Sequence, residues 1–193
     1  MSTSVRPSTH KTGANGGSGA VKPGFPAPSQ LATRTHLTSA EVKAVTESLN
    51  PLVADLFALY LKTKNFHWHL SGSHFRDYHL LFDEQADQIF AATDVLAERV
   101  RRVGGTTIRS ISHISQLQTI SDDNNDYVTP VEMVRRLMDD NLHLARAQRD
   151  AHEICDRHHD YATTSVLEVL IDEAERRAWF LFEVAQGHDG TGR

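Results

Sequence analysis

From Thr38 onward, apolar residues recur every three or four positions, and no stretch alternates with the period of two that a strand requires. Thr38-Ser39-Ala40-Glu41 reads as a capping box, with Thr38 as N-cap and Glu41 returning to it. The helix it opens meets Pro51, where a kink or a restart is expected. Beyond it, Leu52, Leu56, Leu59, Thr63 and Phe66 keep helical spacing to an end near Ser71-Gly72. A second helix runs from His74 or Phe75 to Val103, roughly 45 Å long at 1.5 Å per residue. Arg99, Arg101 and Arg102 suit the negative end of its dipole, and Gly104-Gly105 stops it. A connector of about 25 residues follows, with a short helix expected over Ser110 to Leu117. Thr129-Pro130-Val131-Glu132 then opens a helix to about Arg157, with proline at its first position. After His158-His159-Asp160 a last helix runs from about Ala162 to Gln186, ending at Gly187. Four long helices, two joined by a long crossover that carries a short one, predict an all-α four-helix bundle.

Composition divides the chain. Residues 1–36 hold five of the eleven glycines and four of the six prolines, too little apolar surface to offset ordering entropy. A disordered tail over 1–36, a bundle domain over 37–187 and a short C-terminal tail over 188–193 are therefore expected. Residues 1–40 contain Arg6, Lys11, Lys22 and Arg34 and no acid, a balance of +4. The remainder balances at −9, which together give the net −5. An acidic body attracts cations and repels phosphate backbones, so any DNA contact must start from those four tail residues. No apolar run approaches the ~18 residues of a membrane span. Cys155 is the single cysteine, which excludes a disulfide within the chain and reads as a small buried hydrophobe. With no secretory pattern at the N-terminus, a reducing cytoplasm is the expected compartment.

The candidate chemistry lies in His67, His79, Asp83, Asp94 and Glu98. Four of these fall on the second helix, with Asp83, Asp94 and Glu98 about 40°, 60° and 100° round from His79, on one face. Along the axis they form two pairs, each one turn apart, with about 22 Å between His79 and Asp94. One ion cannot be held by both pairs of one helix. An antiparallel two-fold copy would bring Asp94 and Glu98 opposite His79 and Asp83 of its neighbour, making two equivalent sites. Imidazole with carboxylate suits a divalent first-row metal, and open positions suit an iron ion that changes oxidation state. A structural zinc more often has four closed ligands with cysteine among them. Any one of these residues alone is more simply a solvated polar side chain, or one paired with Arg176 or Arg177. No glutamate has a histidine three residues after it, so the Glu-x-x-His iron motif of larger bundles is missing.

The run Lys64-Asn65-Phe66-His67-Trp68-His69-Leu70-Ser71-Gly72, followed by His79, Asp83, Asp94, Ala97-Glu98-Arg99 and Gly104-Gly105, resembles the Dps miniferritins. The resemblance covers about residues 37–187. It implies a ferritin-like fold and a hollow homododecamer with a ferroxidase site at each two-fold interface. His67, His79 and Asp83 would come from one subunit, and Asp94 and Glu98 from its partner. The implied activity is Fe(II) oxidation by H2O2 in preference to O2, with ferric mineral stored in the cavity and the cell and its DNA protected. Iron is the metal it implies, with zinc or manganese as substitutes. Asp139 corresponds to an acidic position that helps line the iron-entry pore in similar proteins.

Two other functions compete. A nucleoid-compacting DNA-binding protein would retain the bundle with an idle metal site, but this tail is poorer in lysine than those of DNA-binding relatives. A zinc hydrolase would need a ligand set within one subunit and a cleft, for which no motif is present. Trp68 adjoins the site, and core anchoring is its expected role. His158-His159 at a helix end reads as solvated.

Overall fold

The structure is a computed structural model and describes residues 29–186. The tail up to residue 28, including Arg6, Lys11 and Lys22, and the stretch 187–193 lie outside the described residues. Five α-helices follow a 3-10 turn at Ser29–Leu31: α1 Ser39–His69, α2 Phe75–Arg102, α3 Ile111–Leu117, α4 Pro130–Arg157 and α5 Tyr161–Ala185. The four long helices enclose one apolar core, with α3 laid against α1, and the described residues contain no strand.

Local chemistry sets the helix ends. Thr38 and Glu41 exchange the two bonds of a capping box at the start of α1. Thr129 accepts from the Glu132 amide with Pro130 at the first position of α4. α2 ends in a Schellman motif: Gly104, at φ +100°, donates to Arg101 O and Gly105 to Val100 O. Gly105 must also lack a side chain, because a Cβ there would overlap Thr46. α4 ends the same way, through His159 to Asp156 O and Asp160 to Cys155 O. Here His159 takes the left-handed position, at φ 56°. Its neighbour His158 pairs with Glu41, 3.8 Å away, where a solvated side chain was expected.

Pro51 neither interrupts nor restarts the first helix, which is continuous from Ser39 to His69. Proline removes one ladder bond, but Leu49, Leu52, Val53 and Leu56 around it are 0–2% exposed. Each such side chain contributes roughly 1.5–3 kcal/mol on burial, so packing carries the helix through. Cys155 is fully buried, and that burial pushes its thiol up to about 12.

Polar groups lock the elements together. Asp55, in the middle of α1 and 1% exposed, accepts from Thr119 N at 2.5 Å, Thr119 Oγ1 at 2.7 Å and Ile120 N at 2.9 Å. A buried carboxylate thus holds the far end of the crossover after α3. At the other end of the bundle, Arg99 reaches from α2 to Asp160 Oδ1 (2.6 Å) and Thr163 Oγ1 (2.7 Å) at the start of α5. Within the core, Arg177 of α5 donates to Asn141 Oδ1 of α4 at 2.8 Å, and Gln85 of α2 donates to Arg177 O. Burial lowers the Arg177 guanidinium to about 10, which leaves it charged at neutral pH.

Candidate metal centre

α1 and α2 form an antiparallel hairpin that brings His67, on the last turn of α1, against His79, on the second turn of α2. Their rings stack 3.7 Å apart. His67 Nδ1 donates to the His79 carbonyl at 2.9 Å, and His79 Nδ1 donates to the His67 carbonyl at 3.1 Å. A carbonyl can only accept, so both Nδ1 atoms carry a proton, and Nε2 is the nitrogen of each ring left for a metal. Orientation of an imidazole through its second nitrogen is the usual preparation of a histidine ligand. The carbonyls of residues 67 and 79 supply it here.

Asp83, one turn beyond His79, completes a close trio: its Oδ1 lies 3.8 Å from His67 Nε2. The same oxygen accepts from Lys64 Nζ at 2.5 Å. That bond, with the nearby positive charge, holds the Asp83 carboxyl below its ordinary value and raises the Lys64 ammonium. No three His, Cys, Asp or Glu side chains among the described residues are arranged to hold a metal ion within one chain. The expected three ligands of one subunit are adjacent but do not by themselves form a coordination shell. The expected zinc and manganese substitutes find no support in this donor set.

Asp94 and Glu98 lie farther along the same helix and are exposed. Glu98 pairs with Arg102, one turn on. Neither approaches the histidines of its own chain, as the axial separation requires. Between the two groups lies Phe90, 51% exposed, with its ring against Tyr60 (centroids 4.9 Å apart) and Phe57 (6.3 Å). Trp68 corrects an expectation. It is 60% exposed and anchors no core, because the α1 turn that buries Phe66 and His67 points position 68 outward. Asp139 is exposed on α4, whereas its neighbour Asp140 bonds Lys62 of α1 at 2.7 Å. Arg34, the one described tail residue among the expected DNA contacts, is exposed.

Lys64 is the site residue that sequence reasoning passed over. The signal was available, since it stands three residues before His67 on the same helix face. Its partner, however, is 19 positions away on another helix.

The ferritin-like domain family matches residues 46–187. A low temperature-induced protein of Nostoc is 34% identical over 152 residues, covering 78% of this chain and 85% of that protein. A DNA protection during starvation protein of Brevibacillus brevis is 30% identical over 133 residues, covering 69% of this chain and 89% of that one. Among solved structures, Dps from Thermosynechococcus elongatus superposes with a TM-score of 0.76 at 26% identity, covering 80% of this chain and 98% of that chain. With the helical order, the crossover and these matches together, the chain belongs to the Dps miniferritins, a branch of the ferritin-like proteins.

Proposed function

We propose that this protein is a ferroxidase and iron store: a homododecameric cage that takes up Fe(II) at its two-fold interfaces. His67, His79 and Asp83 of one subunit and Asp94 and Glu98 of the partner subunit bind the iron. The observation that carries this is the reciprocal histidine pair. Two imidazoles held through Nδ1 beside Asp83 make half a site, and the helix that bears His79 and Asp83 carries the complementary carboxylates about 22 Å away. Isologous pairing is the arrangement that joins such halves twice over.

Iron is the substrate, and each side chain has a separate task. Backbone-held imidazoles fix the position of Fe(II) without reorganisation. The carboxylates of Asp83, Asp94 and Glu98 supply anionic oxygen, which favours Fe(III) over Fe(II) and eases loss of the electron. Two Fe(II) ions each give one electron, and one H2O2 with two protons takes both to become two water molecules. Such two-electron consumption keeps peroxide from the single-electron route to hydroxyl radical. The ferric product accumulates as mineral in the cavity, protecting the cell and its DNA.

The test compares Fe(II) oxidation by H2O2 in the wild type and in Asp94→Ala/Glu98→Ala, with assembly checked by native mass spectrometry. Loss of at least tenfold in initial rate, with the assembly intact, is expected. An unchanged rate sinks the shared site. The name of the Brevibacillus brevis relative favours DNA protection, and direct DNA binding from the tail is a second role beside the iron chemistry. That role requires a DNA mobility shift that disappears when residues 1–36 are deleted.

A further inference from the structure

Lys64 is neither a metal ligand nor a surface lysine. Its side chain is 18% exposed and lies on the α1 face that carries His67, and its ammonium bonds Asp83 Oδ1 at 2.5 Å. That oxygen stands 3.8 Å from His67 Nε2. Two ligand atoms bound at about 2.1 Å to one ion lie at most about 4.2 Å apart, so these two can share a divalent metal with little movement. Such an ion would then lie within about 4.6 Å of Lys64 Nζ, held there by the same carboxylate. A unit charge and a double charge at that distance in a half-buried site repel strongly. The ammonium and the metal therefore exclude one another.

We infer that Lys64 is a tethered competitor for the metal position at Asp83. This rests on the metal reading of the site given above. Metal entry drives the ammonium off the carboxylate, and its return favours metal release, so the side chain sets the site's affinity low and its exchange fast. An iron-storing cage needs that property, because product must leave the oxidation site for the mineral. The competing role, a lysine that merely props Asp83 in place, makes the opposite prediction.

The experiment is calorimetric titration of the assembled full chain with Co(II), an ion that does not turn over. Wild type, Lys64→Met, Lys64→Gln and Lys64→Arg are compared, each checked for assembly mass and helicity. Both neutral variants are expected to bind roughly fivefold tighter than wild type and to lose Co(II) to a chelator correspondingly more slowly, while Lys64→Arg stays near wild type. Wild-type binding that both neutral variants fail to tighten overturns the competitor role and leaves the metal site standing. No binding in wild type or any variant removes the metal reading, and this inference with it.

Discussion

At the residue scale, the buried carboxylates show how far partners decide behaviour. Burial pushes the Asp123 carboxyl up, but bonds from Arg136 at 2.6 Å and from Asn125 outweigh it, and the net shift is downward. A depressed carboxyl stabilises the fold above its unfolded value near 4, and that contribution vanishes as pH falls through the folded value. Urea midpoints of wild type and Asp123→Asn should thus differ at pH 6 by the equivalent of on the order of 1 kcal/mol. The gap should close as pH falls through the depressed folded value of this carboxyl; a gap that persists in the fully protonated protein would assign the effect to shape rather than charge. Single residues were also the hardest to read in advance. The burial of Cys155 follows from helical spacing alone. The exposure of Trp68 and the hold of Lys64 on Asp83 depend on which neighbour each helix meets, which periodicity does not encode.

At the element scale, the helices were legible because their ends are local events. Thr38 with Glu41, Thr129 with Pro130, and Gly104-Gly105 act within five residues of themselves, and the observed ends fall within two residues of those expected. The continuity of α1 through Pro51 was not legible, because it depends on burial supplied by other helices. The crossover was foreseen as a long connection, but its fastening was not, since Asp55 and Thr119 are 64 positions apart. That fastening predicts a cost. Asp55→Asn keeps the volume and one oxygen for the two backbone donors, but it sets an NH2 against the Thr119 hydroxyl and removes the charge those donors meet, and should lower stability by about 1–3 kcal/mol. Hydrogen exchange should rise first at the Thr119 and Ile120 amides. Protection there equal to wild type would mean that α3 packing, not Asp55, holds the segment.

At the scale of the whole molecule, the proposed function makes one chain half of each site. Phe90, Val95 and Trp68 expose apolar surface around the candidate ligands, which a partner copy would cover. Phe90 lies close to midway between the His79–Asp83 and Asp94–Glu98 pairs, where a two-fold axis relating them would pass. A residue near such an axis meets its own copy, so Phe90→Glu sets two like charges together. Light scattering should then report species smaller than the wild-type assembly at neutral pH, with helicity by circular dichroism retained. A full-sized assembly would place the subunit contact on another face. The helices were visible in their spacing, whereas the proposed ligand set needs a second copy, whose contact face the periodicity of one chain does not encode.

The paired histidine-to-carbonyl bonds tie the aim of both rings to the alignment of two helices. Lengthening the link at 70–74 leaves that alignment alone, so insertions there should be harmless. Adding one residue inside α2 ahead of His79 turns every later side chain by about 100° relative to the turn before it. The donor atoms would then face the wrong neighbour while the bundle could still assemble. Across related chains, length variation is accordingly expected at the hairpin tip and absent from the stretch between residues 75 and 98.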